Sequence, residues 1–193
     1  MLWMGDYDRA RALAYARRWA FSRNPLFYNF TGVGGDCTNF VSQCVLAGCC
    51  VMNGTPDFGW YYRSVEDRAP AWTGVQFFWD FFTGTPAFRA ENGGVGPFGR
   101  EVVMAQVQPG DAIQLGRENG EYYHTLLALE RVGEEIYVAA HSNDAYDRPL
   151  SSYRAARVRF LHIEGVRIDL PAPACFDSLI QGERLPSVFA EFS

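Results

Sequence analysis

Cys37 follows a glycine-rich loop, Tyr28 to Asp36 (YNFTGVGGD), and opens the stretch CTNFVSQCVLAG, whose spacing predicts a helix with Cys37, Phe40, Val41 and Cys44 on one face. A thiol in the first turn of a helix meets the positive end of the dipole and several unpaired N–H groups, which favour the thiolate. The same N–H groups can take the oxygen of a tetrahedral intermediate. One local feature would thus supply a nucleophile and part of an oxyanion hole. Cysteines are also small buried hydrophobes, and Cys44, Cys49, Cys50 and Cys175 are read that way.

A cysteine nucleophile needs a base, and the chain has three histidines: His124, His141 and His162. His124 lies in the apolar segment YYHTLLALE, residues 122–130, where an imidazole needs a polar partner. That segment and EIYVAAH, residues 135–141, flank a short connection with Gly133, the pattern of a β-hairpin. A loop of two or four residues sets Arg131 opposite Glu134 and so His124 opposite His141 on one face; a three-residue loop would separate them. His141, or Asn143 two residues on, is the expected orienter of the His124 ring. His162 is assigned a structural role. The alternatives are a zinc module using Cys37, His124 and His141, which no close-spaced ligand pair supports, and a silent binding domain of the same fold.

The elements that must carry these residues follow from pattern. Asp6 can cap a helix bearing Ala10, Leu13, Ala14 and Tyr15 that ends near Asn24-Pro25, and Gly48 can stop the helix begun at Cys37. Val75 to Phe82 is apolar all round, so it is core or the wall of a groove. The aromatic stretch Trp60 to Phe82 is read mainly as core, in part as a cleft lining. NGGVGPFG, residues 92–99, reads as a loop, and Pro109-Gly110-Asp111 as a turn into the strand Ala112 to Leu115. Val158 to Ile163 is a further strand, and Leu170 onward, with Pro171, Pro173 and Pro186, a strap or loose tail. The expected architecture is a single α+β domain over 1–193, its core at 6–165 and its strap at 166–193, in which the helix bearing Cys37 packs on an antiparallel sheet bearing His124.

Composition removes other classes. The 193 residues carry a net charge of −5 with 48% hydrophobic and 20% charged residues, and no basic run tracks a nucleic acid. The longest apolar runs are too short to span a bilayer. Every basic residue is Arg, which excludes a P-loop lysine and a Schiff base. Five cysteines, an odd number, suggest free thiols and reducing conditions. The N-terminal MLWMGDYDRARALAYARRW lacks a secretory core, so the expectation is a cytoplasmic protein or the mature part of an exported product. No cofactor is called for.

GGDCTNFVSQ, residues 34–43, resembles the nucleophile signature of the putative amidase domain family, a branch of the papain-like cysteine hydrolases related to CHAP and NlpC-type cell-wall hydrolases. The helix YDRARALAYARRWA, NPLFYNF before the loop, the turn at 109–111, the His124 strand and HSND at 141–144 follow in the family's order, over residues 6–165. The resemblance implies a papain-like fold and amide or peptide hydrolysis through a thioester, with peptidoglycan stem peptides as the substrate class. It makes Cys37 the nucleophile, His124 the base, and His141 or Asn143 the third member. Asp36 becomes an N-cap holding the loop. No Gln precedes Cys37, so Tyr28 or Asn29 would have to serve the oxyanion if any side chain does.

Overall fold

The computed structural model describes residues 1–184, in which the chain builds β1 (Trp3–Gly5), α1 (Arg9–Trp19), α2 (Cys37–Cys49), α3 (Pro70–Thr73), α4 (Val75–Thr83), α5 (Pro86–Asn92), β2 (Gly96–Val102), β3 (Ala112–Gly116), β4 (Tyr122–Val132), β5 (Glu135–Ala140), β6 (Ala145–Pro149), β7 (Arg157–Ile168) and α6 (Phe176–Gln181). All seven strands join one antiparallel sheet in the order β1-β7-β3-β4-β5-β6, and β2 pairs with β7 as well. The α+β expectation holds. β7 reaches Ile168 instead of stopping at Ile163, because its far half is covered by β1 and β2.

The sheet separates two apolar clusters by the alternation of strand residues. Ala112, Leu127, Leu129 and Leu161 face α1, α2 and the aromatic segment. Ile113, Leu115, Leu126 and Ala128 face the other way, with Val138 and Leu150. α2 is the centre of the first side, and all 13 of its residues are buried. Its polar side chains are satisfied by the aromatic segment: Trp72 Nε1 donates to Asn39 Oδ1 at 2.9 Å, and Trp60 Nε1 donates to Ser42 Oγ at 3.0 Å. Trp60 and Trp72 are fully buried, so the aromatic stretch is core there and no cleft wall.

Three local readings are corrected. Asp8, not Asp6, caps α1, its carboxylate accepting from Arg11 N at 3.0 Å. Gly48 does not end α2 but lies inside it, where a Cβ would stand 2.4 Å from the Tyr7 ring. The helix closes at Cys50 in a left-handed conformation. NGGVGPFG is half strand: Gly96 to Gly99 pairs with β7, and at the bulge a Cβ on Gly99 would meet His162 O at 2.2 Å. Glycine here permits close backbone approach, which composition alone presents as a loop.

The hairpin register is corrected too. Only Gly133 and Glu134 form the turn, so Arg131 pairs with Ile136, and a bulge between Ala128 and Glu130 then shifts the pairing to Leu127 with Ala139. Continued, this register sets Thr125, not His124, level with His141. A single-residue slip moves a side chain to the opposite face.

The free-thiol expectation fails for two of the five cysteines, since Cys50 and Cys175 form a disulfide across 125 residues. Cys37, Cys44 and Cys49 are free. The bridge fastens residues 169–184 to the end of α2, and Trp19 Nε1 donates to Leu179 O at 3.1 Å beside it. This segment is therefore a strap, not a loose tail; Pro186 and the rest of 185–193 lie outside the described residues. We expect Cys175→Ser to lower the unfolding free energy by about 2–4 kcal/mol, the usual worth of a disulfide and somewhat below the entropy limit for so long a loop, read from urea titration under non-reducing conditions. An unchanged midpoint would mean that the apolar contacts of α6 hold the strap unaided.

Candidate active site

Cys37 stands at the first position of α2. Gly34 and Gly35 enter it with φ of 88° and 103°, a region side chains resist, so the loop can turn sharply onto the helix. The thiol is buried. Burial pushes it up from its ordinary value, while hydrogen bonding from the main chain of Thr125 and from the hydroxyl and main chain of Thr38 pulls the other way without cancelling that. The expected resting thiolate is thereby corrected. The helix end is present, but desolvation outweighs it.

A buried polar chain ties α2 to the sheet beside the thiol. Thr38 Oγ1 lies 2.9 Å from Thr125 Oγ1, Gln114 Nε2 donates to Thr125 Oγ1 at 3.3 Å, and Arg159 Nε donates to Gln114 Oε1 at 2.9 Å. The pairing of β5 with β4 stops at Leu127. Thr125 is thus left without a strand partner on that side, and its main chain is available to Cys37 Sγ.

Asp36 takes the N-cap position, but its side chain makes no cap hydrogen bond. Instead Oδ1 accepts from Phe30 N at 3.0 Å and Asn39 Nδ2 at 2.7 Å, while Oδ2 accepts from His141 Nδ1 at 2.7 Å and Arg23 Nε at 3.1 Å. The N-cap reading is corrected accordingly: the carboxylate holds the loop through four donors, not through the helix end. Asp36 N, in turn, donates to Ser142 Oγ at 2.7 Å. His141 stacks on Phe40 with ring centroids 3.9 Å apart, and its Nε2 reaches Trp19 O at 2.9 Å, closer than the 3.4 Å approach of Arg23. Both ring nitrogens are thus engaged away from Cys37, by Asp36 on one side and by Trp19 O on the other.

His124 leaves β4 on the side of Leu126 and Ala128, with its ring centroid 6.1 Å from that of Tyr153. Its expected pairing with His141 is absent, for the register reason given above. Among the described residues neither ring nitrogen makes a hydrogen bond, to Cys37 or to anything else. Burial, with the Arg148 guanidinium nearby, lowers the imidazole to about 4, so it is neutral at neutral pH. It is adjacent in the chain to Thr125, whose main chain meets the thiol. β4 is also bulged there, Tyr123 being the extra residue between the pairs Leu115–His124 and Gly116–Tyr122, and bulges re-aim side chains.

The remaining sequence candidates stand apart. Asn143 is exposed in a turn at φ 80°. Tyr28 is exposed, giving its carbonyl to Asn39 Nδ2 and its N–H to Tyr62 Oη, and Asn29 Oδ1 accepts from Thr31 N and Arg23 Nε. His162 accepts its structural assignment, with Nδ1 2.9 Å from Asp111 Oδ2. Cys37, His124 and His141 do not converge as zinc ligands, and among the described residues no three His, Cys, Asp or Glu side chains gather to hold a metal. Arg23, Thr38 and Thr125 were missed by pattern; the position of Thr125 directly after the candidate base was the one available signal. A cavity of about 610 Å³ lies between Cys50, Met52, Asn53 and the strap at Leu170 and Pro171. It is at the far end of α2, about 18 Å of helix from Cys37, and takes no part in this site.

Fold and site together describe an α+β domain with a cysteine at a helix N-terminus against an antiparallel sheet. Residues 6–163 match the family model described as "Putative amidase domain", and the chain belongs to that family, one of amide-bond hydrolases by its description. It is 27% identical over 169 residues to "Uncharacterized protein YhbB" of Bacillus subtilis (strain 168), an overlap of 82% of this chain and 50% of that protein. The chain thus spans about half the length of this curated relative. No solved structure matches it. Among the described residues no helix is long and apolar enough to cross a membrane.

The Asp36 cluster yields a stability prediction. Asp36→Asn leaves the donors of Arg23 and His141 facing an amide in the interior, and is expected to cost about 3 kcal/mol of unfolding free energy. Exposed Tyr28→Phe should stay within about 0.5 kcal/mol. Denaturant titration of both variants checks the contrast.

Proposed function

We propose that this chain is a cysteine-dependent amidase of papain-like type, in which Cys37 is the nucleophile and His124 the general base. The observation that carries this reading is the meeting of Cys37 Sγ, at the start of α2, with the main chain of Thr125, the residue next to His124. Because the thiol is raised and the imidazole lowered, the pair rests uncharged. The proton then moves during attack rather than before it.

Sγ adds to the amide carbonyl as His124 takes its proton, and the developing oxyanion is received by N–H groups of the α2 first turn. Collapse breaks the C–N bond, His124 returns the proton to the leaving amine, and a thioester remains on Cys37. Water, deprotonated by His124, then releases the acid and the free thiol. Hydrogen bonds of this kind often form only once substrate is bound, which suits an imidazole that is unpartnered in the free protein. His141 acts at one remove, as a positioning residue that holds Asp36 and with it the loop before Cys37. Peptidoglycan stem peptides are the proposed substrate class. A disulfide supports work in an oxidising compartment, such as the cell surface where that substrate lies.

Hydrolysis of stem-peptide and simple amide substrates by purified protein tests the reading. Cys37→Ala and His124→Ala are each expected to reduce turnover by about 10³-fold or more, and not additively, with His141→Ala costing less. Circular dichroism confirms that each variant is folded. Full activity in folded Cys37→Ala would refute the nucleophile. Since His124 must be neutral to accept a proton, activity should be lost as pH falls through its value of about 4. The acid limb of kcat/KM should therefore lie near pH 4, well below the 6.5 or so of an ordinary imidazole.

A further inference from the structure

With His141 committed to Asp36, nothing in the mechanism above orients the base, and the residue that faces His124 is Tyr153. Its hydroxyl is buried and has no hydrogen-bond partner among the described residues. The two rings are 6.1 Å apart between centroids and tilted by 42°. A buried phenol without a partner is costly, and here it stands beside a half-buried imidazole that makes no hydrogen bond within the described residues. An unsatisfied phenol next to an imidazole with free ring nitrogens calls for a common explanation.

The surroundings hold the phenol in place. Tyr153 N donates to Leu150 O at 3.0 Å, closing a single turn whose Leu150 is buried in the second cluster. Arg148, near the end of β6, lies 3.9 Å over the Tyr153 ring and donates from Nε to Ser152 Oγ at 2.8 Å. Burial pushes the phenol up and outweighs the Arg148 guanidinium, which approaches the hydroxyl without completing a hydrogen bond and pulls the other way, so the protonated oxygen can both donate and accept. Arg148 and Tyr153 from this segment, with Tyr123 along β4, are the polar or charged groups recorded near the imidazole.

We propose that Tyr153 is the positioning residue for His124, its hydroxyl accepting the imidazole N–H once the two rings turn to meet. That bond selects one neutral tautomer and leaves the other ring nitrogen free for the thiol proton; no proton leaves Tyr153. The proposal rests on His124 being the base, as argued above.

Tyr153→Phe in the full chain is the test, since it keeps the ring and its contact with Arg148 and deletes one oxygen. We expect kcat to fall at least about tenfold with KM nearly unchanged. Nitrogen-15 NMR of the His124 ring should show one dominant neutral tautomer in the parent and a mixture in the variant. The role requires both changes, and either one without the other overturns it. Should hydrolysis prove independent of Cys37 or His124, the hydrolase reading fails by that result, while an unchanged tautomer in Tyr153→Phe still refutes the Tyr153–His124 bond on its own. Should hydrolysis depend on both residues and Tyr153→Phe match the parent in kcat and tautomer, only the Tyr153 assignment falls.

Discussion

The site depends on one buried carboxylate. Asp36 is almost wholly removed from water, and an ionised carboxylate there is tolerable only because four donors surround it. Those donors come from four separate places: the segment after α1, the glycine loop, α2 and the end of β5. Satisfying a single charge therefore fixes the geometry between α1, α2 and the sheet at the point where Cys37 begins its helix. His141, which looks like catalytic machinery in the sequence, is held by the same requirement. Its two nitrogens face Asp36 and Trp19 O, which fix the ring against the loop before Cys37.

A second constraint comes from strand parity. Thr125 and His124 are consecutive, so their side chains must leave β4 on opposite faces. Thr125 turns to α2 and joins the chain Thr38–Thr125–Gln114–Arg159 beside Cys37. His124 turns to the smaller cluster with Tyr153 and Arg148. Nucleophile and base candidates are thus served by different sides of one strand, and it is the main chain of Thr125, next to His124, that meets the Cys37 thiol. The early end of β5 makes that possible, because a fully paired β4 would have its Thr125 main chain committed to the ladder.

The far end of α2 is governed by different forces. The Cys50–Cys175 bridge binds the strap there, and a cavity of about 610 Å³ lies against it, while Trp19 Nε1 and Asn24 Nδ2, at and just after the end of α1, hold the strap through Leu179 O. The strap and the candidate site meet at Trp19, whose indole donates to Leu179 O and whose carbonyl faces His141. The relative from Bacillus is about twice the length of the matched region, so in that protein at least this domain works beside further chain.

Much of this was legible in residue order. The glycine loop and the helix begun at Cys37, the α+β class and most strands follow from local pattern: glycines before Asp36-Cys37, apolar spacing after it, and runs of strand formers bounded by turn residues. These are features of neighbouring residues, and neighbouring residues determine them. The partners of Asp36, the side to which His124 points, the pairing of Cys50 with Cys175 and the strand role of Gly96 to Gly99 were decided by tertiary structure. Each depends on which distant segment arrives opposite. A bulge near Leu129 moves His141 by one place relative to His124, and one place is enough to reverse a face. No short-range pattern records a one-residue slip, because both registers place apolar side chains against apolar side chains. Only the closing of the whole sheet around the buried charge of Asp36 chooses between them.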